Sequence, residues 1–198
     1  MNSLLKASRC VSLAGLYSGG ALILAAAFLI GTDVLMRRFA GVTIGGADEL
    51  AQFALAMGTA WSLGGALFDR AHIRVDSAYS RFPLQVRAIL DILGLALFIF
   101  FFIFVTWHAF GVLGQSWTNG SVSHSALQIP IFIPQGLWVL GFVSFLFIAT
   151  ILLLDAVGKL MRGDFRAVSR VIGTKSAEEE VEEELALARA TGEEADRR

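Results

Sequence analysis

The chain has 198 residues, of which 56% are hydrophobic and 17% charged, and its mean hydropathy is +0.67. A soluble domain has about 45–50% apolar and about 25% charged residues, so the composition excludes an ordinary soluble protein and indicates an integral membrane protein. Residues 1–174 carry 12 basic against 8 acidic side chains, whereas residues 175–198 carry 4 against 9. A single cysteine, Cys10, excludes an internal disulfide and cannot form a metal site by itself.

Four apolar segments are long enough to cross a hydrocarbon core of about 30 Å as helices, which takes roughly 20 residues. They lie at about 11–35, 49–68, 89–113 and 133–156. A helix satisfies its own backbone hydrogen bonds inside a bilayer, and no alternating strand pattern competes with it here. We therefore predict an all-α integral membrane protein, with a four-helix transmembrane domain at 1–174 and an acidic, flexible cytoplasmic tail at 175–198.

The end of the first helix carries three charges. Asp33 and Arg37 are four residues apart and therefore lie on the same helix face, and Arg38 follows directly. Charges at this depth of a membrane are favoured when they are paired, so we predict that these residues stabilise the fold or lie at a subunit interface.

Small residues in membrane helices allow close approach of another helix, although such residues are also common without a partner. The glycines assigned to helix packing are Gly15, Gly19, Gly64 and Gly65.

Two adjacent carboxylates, Asp48 and Glu49, open the second helix. The partial positive charge of a helix N-terminus favours such a carboxylate by about 0.3–1 kcal/mol, which accounts for one of the two. Because the connection from the first helix is short, we state the hypothesis that Arg37 or Arg38 also pairs with Glu49 and closes the hairpin.

A polar turn follows the second helix and concentrates charge in a chain that has little elsewhere. Its titratable residues are Asp69, Arg70, His72, Arg74 and Asp76. The preference for basic residues on the cytoplasmic side explains the arginines but not the aspartates and the histidine. We expect these side chains to pair with one another or with a partner subunit, and to fix the ends of the second and third helices.

The distribution of basic residues predicts the orientation of the helices. With the N-terminus inside, eleven Lys and Arg residues lie on the inner side and two on the outer side. This predicts cytoplasmic N- and C-termini and a cytoplasmic polar turn. The uncharged connection at 114–132 then faces outside.

The sequence lacks the groups that catalysis needs, such as a nucleophile with a base or a cluster of metal ligands. His108 is the only histidine placed for a haem inside the bundle, and we interpret it as a hydrogen-bonded packing residue because no other predicted helix offers a second histidine. We predict no enzyme activity, no metal, no cofactor and no nucleic acid. The predicted helix centres also lack the ionisable groups and the internal repeat typical of a transporter that works alone.

Several features, taken in their order and spacing over residues 30–140, resemble the small membrane subunit of TRAP transporters, the tripartite ATP-independent periplasmic uptake systems of bacteria and archaea. These features are Asp33 with Arg37 and Arg38, Asp48 with Glu49, the stretch 65–76 around His72, Pro83 with Arg87, and the stretch 125–130. The sequence departs from the family pattern at Ala71, where a glycine or polar residue is frequent, and at 131–133, which is less aromatic.

The resemblance implies a non-catalytic subunit of the bacterial inner membrane. In this family the small subunit packs in the bilayer against a large subunit that binds substrate and sodium and moves elevator-fashion, while a periplasmic solute-binding protein docks on the complex. This implies sodium-coupled secondary active uptake of an organic acid, with the sodium gradient used by the partner. The alternatives are the membrane anchor of a respiratory redox complex, which the histidine placement disfavours, and a free-standing small transporter.

Overall fold

The computed structural model describes residues 2–69, 82–125, 127–173 and 185. Within these ranges the chain forms five α-helices and a single isolated antiparallel bridge. The helices are α1 (Asn2–Phe39), α2 (Ala47–Phe68), α3 (Leu84–Thr118), α4 (Phe132–Met161) and α5 (Phe165–Ile172). By length and composition the first four can cross a membrane, which confirms the predicted all-α fold with four transmembrane helices.

The helices are longer than the apolar segments that predicted them. α1 has 38 residues and α3 has 35, and at 1.5 Å per residue both exceed a hydrocarbon core of about 30 Å. Helix formation depends on backbone propensity as well as on hydropathy, so residues such as Lys6 and Arg87 continue a helix into the polar region. α3 begins only after Pro83, whose extended backbone (ψ 152°) cannot belong to a helix.

The four long helices form a slab in which α2 and α4 are central. α1 packs along α2, and α3 packs along α4. One side of the slab, here called the terminal side, carries the start of α1, the ends of α2 and α4, the start of α3, and α5. The other side, here called the loop side, carries the α1–α2 loop at 40–46 and the α3–α4 loop at 119–131.

The core lies between α3 and α4 and continues to the terminal side. Phe145 is fully buried, and its ring centroid lies 4.6 Å from that of Phe102. At the terminal side, the short helix α5 buries Val168 in the same cluster. The Asp164 side chain caps α5 by accepting the Ala167 N–H at 3.0 Å. α5 therefore closes the terminal end of the α3–α4 pair.

Candidate functional site

The best-defined polar network in the described residues centres on Asp33, near the loop-side end of α1. Its side chain is buried, and the residue is only 1% exposed. Oδ1 accepts the Ile44 N–H at 2.6 Å and the Thr43 hydroxyl at 2.9 Å, while Oδ2 pairs with the Arg37 guanidinium. One carboxylate thus binds both its own helix and the loop that leads to α2.

This network holds the loop directly before α2, a helix whose start has no side-chain cap. The residue before α2 is Gly46, which has a left-handed backbone (φ 85°) and no side chain to bind the free N–H groups of the first turn. Asp33 instead fixes the backbone of Ile44, two residues earlier, from the neighbouring helix. The loop that leads to α2 is therefore bound to α1.

The two loops of the loop side touch each other at Gly46. A Cβ atom on this residue would lie 2.5 Å from Cδ1 of Leu127 and 3.3 Å from the Ser125 hydroxyl. Within the α3–α4 loop, the Ser123 N–H donates to the Ile129 carbonyl at 2.9 Å, and the Ile129 N–H donates to the Ser123 hydroxyl at 3.1 Å. The α3–α4 loop is therefore held by its own hydrogen bonds, and it packs against the α1–α2 loop at Gly46.

The hypothesis that Arg37 or Arg38 pairs with Glu49 is wrong. Arg37 pairs with Asp33, Arg38 is exposed, and the buried Oε2 of Glu49 has no hydrogen-bond partner among the described residues. The register of the α1–α2 pair gives the reason. The contacts of Gly19 with Gly58, continued along the antiparallel helices, place Glu49 roughly 13 Å nearer the terminal side than Arg37.

The glycines assigned to helix packing lie where helices approach closely. A Cβ on Gly15 would lie 2.5 Å from the Trp61 carbonyl oxygen, and one on Gly19 would lie 2.5 Å from the Gly58 carbonyl oxygen. Gly64 lies between Ser12 and Ile148, and Gly65 lies against the side chain of Leu16. Gly58, which the sequence analysis did not single out, is part of the same seam because its own Cβ would lie 2.8 Å from the Gly19 carbonyl oxygen.

The model of one protein family, described as tripartite ATP-independent periplasmic transporters, DctQ component, matches residues 26–159. The chain belongs to this DctQ family. The matched range contains the Asp33 network, both loops of the loop side and the whole of α2 and α3. No curated protein and no solved structure matched the chain. The family identifies the chain as a small permease subunit of a TRAP transporter and gives no support to a redox-complex anchor.

Two further carboxylates among the described residues of this DctQ chain are buried, both near the terminal side. Asp91 of α3 is 0% exposed and is engaged by other groups of the chain, and Asp155 of α4 is 3% exposed and binds the Lys159 ammonium at 2.6 Å. Neither residue is among the site residues predicted from the sequence. The four-residue spacing that predicts a common face for Asp33 and Arg37 also applies to Asp155 and Lys159, so this pair could have been predicted as well.

Part of the predicted polar turn of this DctQ chain lies outside the described residues: Arg70, His72, Arg74 and Asp76. The tail at 175–198 also lies outside them, except for Leu185. Asp69 lies within the described residues, directly after the last residue of α2, and its N–H donates to the Gly65 carbonyl at 3.0 Å. Asp48 is described as an exposed residue of the first turn of α2.

His108 lies on an outward face of α3. Its Nδ1 atom is 3.0 Å from the Phe104 carbonyl oxygen, its ring packs on the Phe104 ring at 4.3 Å, and the residue is exposed. It therefore hydrogen-bonds to its own helix rather than pointing into the helix bundle. Among the described residues, no group of three or more His, Cys, Asp and Glu side chains could hold a metal ion.

Proposed function

We propose that this DctQ chain is a non-catalytic scaffold for the large, sodium- and substrate-binding membrane subunit of a TRAP transporter. The complex takes up an organic acid by secondary active transport, and a periplasmic solute-binding protein delivers that acid. The observation that carries the proposal is the family match over residues 26–159. Sodium coupling and the organic acid come from the family resemblance and belong to the partner subunits.

The geometry of the slab supports a scaffold role. α1 and α3 lie at opposite edges and present large apolar side chains outward, such as Phe28 and Tyr17 of α1 and Phe104 and Trp107 of α3. Such apolar surfaces suit contact with lipid or with another membrane protein. A subunit that moves through a bilayer needs a fixed frame, and additional helices widen that frame and resist tilting.

The close packing of α1 and α2 supports the same role. Backbone contacts at Gly15, Gly19 and Gly58 allow little sliding, because the helices interlock without intervening side chains. The Asp33 network then fixes the connection between the two helices at the loop side. These features favour a rigid element over a moving one.

The proposed location is the inner membrane, with the terminal side in the cytoplasm and the loop side in the periplasm. The terminal side of the described residues is rich in basic side chains, including Lys6, Arg9, Lys159, Arg162 and Arg166, as the positive-inside preference requires. At the loop side, the charge of Arg37 is balanced by Asp33. The periplasmic solute-binding protein accordingly docks on the side that carries the two joined loops.

Co-purification tests the proposal. The chain is tagged and extracted from native membranes in a mild detergent, and the recovered proteins are identified by mass spectrometry. An unrelated tagged four-helix membrane protein, extracted in the same way, is the control. We expect specific recovery of a large hydrophobic subunit with many transmembrane helices. Recovery of a flavoprotein or an iron–sulfur protein in its place would overturn the proposal.

A further inference from the structure

Glu49, in the first turn of α2, is a carboxylate without a counter-charge in the described part of the chain. Its Oε2 atom is buried and has no hydrogen-bond partner, and no other interaction of this residue is present there. A charged group near the end of a membrane-crossing helix has a high desolvation cost when it has no partner. The nearby arginines do not supply one, since Arg37 is bound to Asp33 and lies roughly 13 Å away along the helix axis.

Two buried carboxylates among the described residues have a cation one helical turn further on. Asp33 is followed by Arg37, and Asp155 is followed by Lys159, in each case four residues along the same helix face. The residue four positions after Glu49 is Phe53. The sequence thus supplies partners for those carboxylates and leaves this one to be neutralised from elsewhere.

A small cavity lies on the same face of α2. Glu49, Phe53 and Ala56 follow one helical stripe, and the last two line a cavity of about 70 Å³ between α2 and α4. Its other walls include Gln135 and Trp138. Ala56 is exposed, so the cavity opens on the flank of the slab. About 10–15 Å³ of such space holds one water, so the cavity has room for a small group such as the end of one side chain.

The walls of this cavity are mainly apolar and aromatic, with the amide of Gln135 among them. The Oε1 atom of Gln135, like Oε2 of Glu49, is buried and accepts no hydrogen bond. α2 and α4 both start at the loop side, so the two acceptors lie near the same end of the slab. The aromatic rings of Phe53 and Trp138 add cation–π attraction for a guanidinium or ammonium group.

We propose that Glu49 binds an arginine or lysine side chain of the large membrane subunit, which packs against the flank where this cavity opens. This inference rests on the proposed function, because it takes that subunit as the partner. In a transporter of several subunits, a side chain of the neighbouring subunit stays at a fixed depth in the membrane. A cation that remains bound there offsets the desolvation cost of the Glu49 carboxylate. Glu49 and Gln135 then mark the interface on the flank between α2 and α4.

The test compares the Glu49→Gln and Asp48→Asn variants in the assembled complex. Both substitutions neutralise one carboxylate in the first turn of α2, but Asp48 is exposed and lies off the cavity stripe. We expect Glu49→Gln to reduce the amount of large subunit that stays on the tagged chain through a detergent wash by roughly tenfold or more. Asp48→Asn should retain as much as the unmodified chain. Equal retention by all three proteins would overturn the inference.

A second measurement separates an interface role from a folding role. The tagged full chain is purified alone, and its thermal unfolding is followed in detergent. Glu49→Gln should unfold at the same temperature as the unmodified chain or higher, because it removes a charge that has no partner in the chain. A lower unfolding temperature would assign Glu49 to the chain's own fold and would contradict the inference.

The lipid headgroup is the competing source of a cation. If replacing phosphatidylethanolamine by phosphatidylglycerol released the large subunit from the unmodified chain as fully as Glu49→Gln does, a lipid would be the partner and the inference would fail. The proposed function fails in a different way, which is visible when the unmodified chain itself retains no large subunit.

Discussion

The Asp33 carboxylate of α1 accepts the backbone N–H of Ile44 at 2.6 Å, across the loop that joins the first two transmembrane helices. The same carboxylate binds the Thr43 hydroxyl and the Arg37 guanidinium. A residue of one helix therefore holds the loop that leads to the next. Gly46, two residues after Ile44, also contacts the α3–α4 loop, so the two loops of the loop side meet at this point.

Replacement of Asp33 should destabilise the chain. Asp33→Ala removes the acceptor for Thr43 and Ile44 and leaves a partly buried backbone N–H without this partner. We expect the unfolding temperature of the purified chain in detergent to fall by roughly 5 °C or more. Asp33→Asn keeps one acceptor oxygen and should have a smaller effect. An Asp33→Ala variant that unfolds at the temperature of the unmodified chain would show that the network has no structural role.

The two adjacent arginines should differ in importance. Arg37→Gln removes the ion pair of a buried carboxylate, whereas Arg38 is exposed and forms no ion pair among the described residues. Arg37→Gln should therefore lower the unfolding temperature, although less than Asp33→Ala does, because the bonds from Thr43 and Ile44 remain. Arg38→Gln serves as the matched control and should have little effect. The reverse order would contradict the assignment.

Two adjacent glycines of α1 provide a test of the helix seam. A Cβ on Gly19 would lie 2.5 Å from the backbone oxygen of Gly58, whereas nothing lies within 4 Å of a Cβ on Gly20. Gly19→Ala should force α1 away from α2 and lower the unfolding temperature. Gly20→Ala should leave it unchanged or raise it, because alanine is favoured over glycine in a helix by about 0.5–1 kcal/mol. Equal effects of the two substitutions would argue against this packing.

The contact between the two loops can be tested in the same way. Gly41 and Gly46 both have positive φ angles, of 66° and 85°, so alanine is strained at either position. Only at Gly46 does the new methyl group also collide with Leu127. Gly46→Ala should therefore lower the unfolding temperature more than Gly41→Ala does. If a smaller residue at 127, introduced as Leu127→Ala, failed to relieve part of that difference, the loop contact would be refuted.

Labelling of single cysteines tests the proposed orientation. In a Cys10→Ser background, a cysteine at exposed Val122 in the α3–α4 loop should react with a membrane-impermeant maleimide in intact cells. A cysteine at exposed Met161, at the terminal end of α4, should react only after the membrane is opened. Labelling of position 161 in intact cells, with position 122 protected, would reverse the orientation.

The sequence predicts the features that depend on local spacing. Hydropathy alone located four membrane-crossing helices, and the spacing of Asp33 and Arg37 predicted their common face. The bonds from Thr43 and Ile44 to Asp33 could not be predicted, because they depend on how the loop folds back on α1. The incorrect hypothesis of an Arg37–Glu49 pair has the same cause. The short separation of Arg37 and Glu49 in the sequence does not predict the register of α1 against α2, which is set by the glycine contacts between these helices.

Transport by purified components tests the central claim, that the chain is a scaffold within a tripartite transporter. Proteoliposomes would contain this chain alone, the large subunit alone, or both, and each would be supplied with the periplasmic binding protein, a labelled organic acid and a sodium gradient. The account predicts sodium-dependent uptake only where both membrane subunits are present, and none with this chain alone. Uptake by this chain alone would contradict it.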